Sequence, residues 1–417
     1  MIGYAEALET VRQHSTPLPT DSVALDAARG RVLARALIAP ESLPPFDNTA
    51  MDGYALQVPA SGLPAGARLP RVGELAAGKA PGVHAAGALE IMTGAPIPPS
   101  FNAVIPVEQI RLEDGDRLIV TEQAVSPGQH IRAAGQDIAA GAPLLEAGRV
   151  LDAAALALCA ALGVNSLPVA RRPRVALINT GNEVVDPATE RLQPGQIRDS
   201  NGPYLRERLR DAGADCVLHV RTGDDPEAWI AAIHRAESAR ADIVVTTGAV
   251  SMGKYDFIPD TLRNIGALTH FHKVRMRPGK PILFARLATG ALCFGLPGNP
   301  ASCAVGLRFF VEPAIRRMLG MADEQALRLP LRHSHDNPSG LTLFLKGRWG
   351  FDGEGRAFAD VLPGQESFRL RPLLLSNAWL QRPGEPTTLP AGHAVAVFPL
   401  GHLDATGCLP RSAEHAA

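Results

Sequence analysis

Paired cysteines are the first thing this chain lacks. Its 417 residues hold five cysteines, Cys159, Cys216, Cys293, Cys303 and Cys408, with no CxxC among them. An odd, scattered set makes neither a disulfide framework nor a zinc ribbon and fits a reducing, cytoplasmic setting. The first four read as small buried hydrophobes. A charge excess is missing too: 41 Lys and Arg stand against 42 Asp and Glu, a net charge of -1. No broad basic field invites nucleic acid or an anionic membrane, so an anionic ligand has to be held by a local cluster. There is no run of about 18 apolar residues to cross a bilayer. Residues 1–17 have neither the basic start nor the apolar core of a signal peptide. The 12 histidines include no HExxH zinc-protease helix.

What is present is a soluble composition, 46% hydrophobic and 20% charged, on a chain long enough for two to four domains. The 40 Gly and 36 Pro are spread out, which argues for many turns and no disordered tract. The texture suggests a helical linker domain made of residues 1–43 and 148–171, discontinuous in sequence. A β-rich domain follows over 44–147, then an α/β domain over 172–322, a small C-terminal β-barrel or sandwich over 323–405, and a tail over 406–417. No internal repeat stands out. Tyr4, Ala7, Leu8 and Val11 share a helical face. Asp152–Leu162 reads as a helix capped by Asp152 and ended by Gly163, expected to pack on that first helix. From Arg174 to Leu319, strands at 175–178, 216–220, 242–246 and 291–294 alternate with helices at 204–211, 227–240, 258–265 and 301–319. That alternation predicts parallel pairing in a doubly wound sheet, whose ligands lie beyond the carboxyl ends of the strands.

The chemistry gathers at those ends. Thr180-Gly181-Asn182-Glu183, Thr247-Gly248-Ala249-Val250-Ser251-Met252-Gly253 and Gly295-Leu296-Pro297-Gly298-Asn299-Pro300 each follow a strand. Glycines bring backbone N–H groups close to a ligand, and helix N-termini favour anions. Asn299 can cap the last helix and Pro300 suits its first turn. Lys273-Val274-Arg275-Met276-Arg277, read as one strand, puts three cations on one face, with Lys280 just beyond. A solvated edge strand would look similar. Glu183, Asp224, Asp225 and Asp256 fall in loops. Carboxylates near a bound phosphate make sense when a hard divalent cation lies between. In the first half, Pro44 to Ala55 packs Asp47, Asn48, Thr49 and Asp52 among apolar anchors. A turn explains Asp47-Asn48 and Gly53 better than it explains Asp52.

Together these motifs resemble the MoeA family, the molybdopterin molybdenumtransferases, which includes the carboxy-terminal domain of gephyrin. The resemblance runs from about residue 3 to 403. It rests on Pro45–Ala55, Thr93-Gly94-Ala95-Pro96, Thr180–Glu183, Asp199-Ser200-Asn201, Pro278-Gly279-Lys280-Pro281 and Gly295–Pro300, in this order and spacing. It implies four domains and an elongated homodimer, with the site between the α/β domain of one subunit and the β-rich domain of the other. It also implies a reaction: adenylylated molybdopterin and molybdate give molybdenum cofactor and AMP, with a divalent cation, usually Mg2+. Recipient-enzyme chaperones and a molybdopterin adenylyltransferase are the implied partners, beside a small-molecule pterin substrate.

By the same resemblance, the catalytic residues are Asp52, Thr93, Asp137, Glu183, Asp224, Asp256, Lys273 and Arg277. Glu183, Asp224 and Asp256 are the metal ligands among them. For substrate binding the resemblance gives Pro297, Pro300 and Ser367, and the residue reading of the loops adds Thr180, Gly181, Gly248, Ser251, Gly253, Lys280, Gly298 and Asn299. Arg277 stands where the family has a lysine, Thr49 where serine is commoner, and Asn182 and Asn102 where aspartate is frequent. Two other functions share parts of these features: molybdopterin adenylyl transfer, which does not need the first 150 residues, and a non-catalytic molybdopterin-binding scaffold.

Overall fold

The apolar run Arg174–Asn179, buried from Val175 onward, is an inner strand of a six-stranded sheet in a computed structural model that describes residues 1–115, 117–250 and 257–403. The strand order is Asp215–Arg221, Arg174–Asn179, Ile243–Thr247, Leu292–Leu296, Leu283–Arg286, Leu268–His272. Alternate residues feed opposite faces, as a pleat requires. Val175 and Leu177 join a core with Leu205, Leu209 and Phe310, whereas Ala176 and Ile178 join one with Trp229, Ile233 and Leu262. Helices therefore cover both faces, and the doubly wound reading stands.

The sheet is mixed, which corrects the all-parallel expectation. The first four strands pair parallel, but Leu283–Arg286 and Leu268–His272 pair antiparallel at one edge. Residues 287–291 between two of these strands are too few for a crossover helix and make a hairpin, with Gly290 at φ +91°. The helix expected over 301–319 is a continuous helical run, Pro300–Gly306 and Glu312–Met318, joined by a π-helical stretch Leu307–Val311. Pro313, which has no N–H to donate, lies two residues beyond that stretch.

The first helix, Tyr4–His14, does not pack on the second, Ala153–Ala161. It buries Ala7 and Val11 in the α/β core, and Tyr4 meets Phe310 and Phe344 edge-on at centroid distances of 5.6 and 4.9 Å. That aromatic pocket is what draws it away. Helix Ala153–Ala161, capped by Asp152 through Ala155 N (2.8 Å), packs instead with Ala28, Leu33, Leu167 and Val169. Strand Thr20–Ala24 pairs antiparallel with Ser166–Ala170, which ties residues distant in sequence.

Before this, strands Ala103–Pro106, Gly53–Leu56, Ala88–Ile91, Arg68–Leu75, Leu118–Thr121 and Ile110–Glu113 form a mixed sheet in that order. After it, Met276–Arg277, Thr342–Phe351, Ala378–Arg382, Ala394–Pro399 and Leu327–Pro330 form another. Ala357–Val361 also pairs with Thr342–Phe351, and one bridge joins Leu331 to Ala359. Cys159, Cys293 and Cys303 are buried and Cys216 half-buried, all unpaired. Among the described residues no helix is long and apolar enough to cross a membrane.

A buried polar cluster locks the last strand to the α/β core. Arg308 Nε donates to Pro399 O (3.0 Å), and Glu312 accepts from His402 N (2.8 Å). His402 Nε2 lies 3.0 Å from Ala212 O and therefore carries the proton, while Nδ1 is buried with no acceptor. Burial, then the charges of Arg308, Arg316 and Arg208, pushes its pKa down to about 3. The folded state thus binds fewer protons than the unfolded, so this contribution is complete above about pH 6.5 and is lost as pH falls toward 3. Glu312, pushed up to about 7 chiefly by burial, has the opposite sign and favours the fold more as pH falls. His402→Gln, which can still donate to Ala212 O, is expected to lose less stability than wild type between pH 7 and 5. Urea midpoints at both values check this, and equal losses would contradict it.

Candidate functional site

A cavity of about 640 Å³ opens at the carboxyl ends of strands Arg174–Asn179, Ile243–Thr247 and Leu292–Leu296. Three loops build it. Thr180, Gly181 and Glu183 come from the first, Gly248, Ala249 and Val250 from the second, and Pro297, Gly298, Asn299 and Pro300 from the third. The loops are laced together. Thr180 N and Oγ1 both donate to Thr247 O at 2.9 Å, Gly248 N donates to Leu296 O at 3.0 Å, and Asn201 Nδ2 donates to Gly298 O at 2.7 Å. Gly248 is needed at φ +81°, where a Cβ would also sit 2.7 Å from Thr180 Oγ1.

Among the described residues, the N–H groups of Gly181, Ala249, Gly298 and Asn299 take no partner. Backbone donors left unpaired in loops that line one concavity are suited to an anion. Pro297 and Pro300 have no N–H, and Ala301 N is already donated to Ser367 O (2.9 Å), so the third loop offers its donors at Gly298 and Asn299. Asn299 occupies the N-cap position without a side-chain cap bond. The expected capping side chain is thus left free of the helix.

Three acidic residues line the cavity, Glu183, Asp199 and Asp224; Asp199 is taken up by Asn179 and Gly202 N, which leaves Glu183 and Asp224 for a ligand. Asp224 is held reciprocally by Asn182: Asn182 N donates to Asp224 Oδ2 (3.1 Å) and Asp224 N to Asn182 Oδ1 (3.2 Å). Asp225 leaves the proposed carboxylate cluster because it caps helix Pro226–Ser238 through Glu227 N at 2.9 Å. Ser251, Gly253 and Asp256 lie outside the described residues. The described ones hold no cluster of three His, Cys, Asp or Glu side chains suited to a metal. Two carboxylates plus ligand phosphates suit Mg2+, which commonly takes one or two protein carboxylates and completes its shell with phosphate and water.

The cationic strand is corrected. Leu268–His272 ends, Lys273 turns at φ +75°, and Met276–Arg277 starts a short strand in the C-terminal sheet. Val274 and Met276 are buried, so Arg275 and Arg277 still share the exposed side, but Lys273 leaves their alternation. Lys280 is exposed, and only Pro281 of this run lines the cavity.

The loop from Asp47 to Tyr54 divides cleanly. Asp47 Oδ1 accepts from Ala134 N (2.7 Å), Asn48 Nδ2 donates to Phe46 O (3.2 Å), and buried Thr49 donates to Met51 O (2.6 Å). Those are turn-building roles. Asp52 is exposed and held by Thr93, whose N and Oγ1 donate to Asp52 Oδ1 at 2.6 and 2.8 Å. These bonds, the backbone one first, hold its pKa below the usual carboxylate value. Asp137 is exposed on a loop zipped to Leu43 and Pro44. Asp52, Thr93 and Asp137 do not line the cavity of their own chain. Asn102 spends its amide on Val58 N and O, both at 2.8 Å.

Several lining residues escaped the sequence reading. Asn179 and Asp199 are buried at the cavity floor, with Asn179 Nδ2 3.0 Å from both Asp199 oxygens. Asp199 also accepts from Gly202 N at 2.8 Å. The Asp199-Ser200-Asn201 motif was the available signal. From the far end of the chain, the sequence pointed to Ser367, but it is the neighbouring Phe368 that lines the cavity.

Residues 2–163 match the family model for the MoeA N-terminal region (domain I and II), and residues 176–317 match that for a probable molybdopterin binding domain. A molybdopterin molybdenumtransferase from Synechococcus elongatus is 38% identical over 406 residues, 95% of this chain and 99% of that one. One from Staphylococcus aureus is 31% identical over 95% of each chain. The solved structure of a molybdopterin biosynthesis MoeA protein from Pyrococcus horikoshii superposes with a TM-score of 0.81 at 28% identity, covering 95% of this chain and 99% of that one.

Proposed function

Because the chain belongs to the MoeA family of molybdopterin molybdenumtransferases, we propose that it inserts molybdenum from molybdate into adenylylated molybdopterin and releases AMP. It is a molybdotransferase of molybdenum cofactor biosynthesis. The observation that carries the substrate detail is the cavity itself. Unpaired N–H groups at Gly181, Ala249, Gly298 and Asn299 suit a pyrophosphate, and Glu183 and Asp224 beside them suit a cation bridging it.

In this reading Thr180, Gly248 and the Pro297–Pro300 loop shape the phosphate cradle, with Ser251 and Gly253 continuing it. Glu183, Asp224 and Asp256 would hold Mg2+, which neutralises phosphate charge when bound. Lys273 and Arg277, with Arg275 and Lys280 close in sequence, attract molybdate. The two dithiolene thiols of the pterin displace an oxygen of molybdate, which leaves as water with their protons, and water cleaves the phosphoanhydride to AMP and the pterin phosphate. The protein's part is positioning and charge neutralisation, with no side-chain nucleophile. Asp52, Thr93 and Asp137 serve the cavity of a partner subunit, so the working unit is a homodimer, placed in the cytoplasm. Residues 1–43 with 148–171 act as its helical linker domain, 44–147 as the β-rich domain that carries Asp52, 172–322 as the pterin-binding domain, and 323–405 as a small β-barrel closed at Leu331 and Ala359.

Purified protein given adenylylated molybdopterin and Mg2+ is expected to release AMP only when molybdate is added. AMP release indifferent to molybdate would contradict the reading. Efficient AMP transfer from ATP to molybdopterin would favour adenylyl transfer instead.

A further inference from the structure

Among the described residues, Phe368 is the one cavity-lining residue beyond position 302, and its side chain is 64% exposed. Its loop is held with unusual care for an exposed segment. Gln365 Nε2 donates to Lys346 O (2.8 Å) and Leu362 O (2.6 Å), and Gln365 Oε1 accepts from Lys346 N (3.0 Å). Lys346, 1% exposed, sends its Nζ to Glu366 O (3.1 Å) and Arg369 O (3.3 Å), one on each side of Phe368. Ser367 O accepts from Ala301 N at the start of the helical run. Carbonyls at 366, 367 and 369 are therefore all fixed, and an apolar ring is presented to the cavity on a rigid mount. Burying a lysine between two carbonyls costs desolvation. That cost is repaid when the geometry it fixes has a use. A pre-positioned ring loses little freedom on binding a flat partner.

We propose that Phe368 stacks on a planar heteroaromatic ring of the substrate and that Lys346 is the positioning residue that holds it there. The proposal rests on the cavity being the site for a pterin nucleotide. Such a substrate carries two flat rings, adenine and pterin, and each suits the phenyl face.

The test uses the full chain with AMP and unadenylylated molybdopterin as separate probes. Phe368→Ala is expected to weaken one of them about tenfold, the size of a base–aromatic stack, and Phe368→Tyr to keep wild-type affinity. Loss for AMP assigns the adenine, and loss for molybdopterin the pterin. Wild-type binding with an unchanged alanine variant overturns the stack alone, whereas a wild type that binds neither probe overturns the site reading as well. In turnover, Phe368→Ala should raise KM for the adenylylated substrate and leave kcat and the molybdate dependence alone. Lys346→Met should raise the same KM in wild type but add nothing in the Phe368→Ala background. Additive effects would refute the positioning role. Phe368 is exposed and its variants should fold, so they decide the stack even if Lys346→Met does not fold.

Discussion

Asp52→Ala is expected to fold like wild type and to lose molybdenum insertion on the order of 10²–10³-fold, the usual cost of removing one charged group from a preorganised site. The fold should survive because the carboxylate is exposed and the two donors it leaves, Thr93 N and Oγ1, can turn to water. Asp52→Asn sharpens the result, since its amide oxygen can still accept from Thr93 and only the charge is removed. The trans arrangement has its own signature. When Asp52→Ala and Asp224→Asn chains are mixed, a mixed dimer regains one intact site if Asp52 serves its partner's cavity, which gives roughly a quarter of wild-type activity at equal amounts by random pairing. If Asp52 serves its own cavity, every site in the mixture is defective. AMP release from the mixture therefore separates the two geometries, and unchanged insertion in Asp52→Ala would remove Asp52 from the site.

Much of this site is visible in the sequence for a physical reason. Glycines at 181 and 248 are needed where the chain takes positive φ against a neighbour, so the loops advertise themselves by residue type. The four parallel strands announce themselves as short apolar runs between helices. The two antiparallel edge strands do not. Lys273 to Arg277 alternates like a strand, but nothing in that spelling shows that Lys273 turns at φ +75° or that Val274 is needed in the core. The docking of Tyr4 was equally hidden, because Phe309, Phe310 and Phe344 become one pocket only once strand and helix meet. Asp225 shows the limit of counting acids: its neighbour Asp224 faces the cavity, while it caps a helix. Phe368 and Lys346 belong to a segment whose tie to the site, Ser367 O to Ala301 N, is purely main chain.

The second large effect concerns the cation. Asp224 and Asn182 close a reciprocal backbone-to-side-chain pair that needs acceptors but no charge. Asp224→Asn can keep an oxygen on Asn182 N, so it should preserve the loop and remove one negative charge from the cavity. A loss in kcat on the order of 10²–10³-fold is expected, partly recovered as Mg2+ is raised, because weakened cation binding is a mass-action defect. Asn182→Asp runs the other way. Its carboxylate can still accept from Asp224 N, but it places a second negative charge beside Asp224, and that repulsion is relieved when a divalent cation sits between them. This variant should reach half-maximal rate at a Mg2+ concentration about tenfold lower and so be faster than wild type at low Mg2+, since carboxylate count is a main determinant of affinity at such sites. Mg2+ titrations of AMP release on the three proteins read both effects. If all three share one half-saturation point, Asp224 and Asn182 shape the loop without holding a cation, and the role of Glu183 as a ligand loses its nearest support.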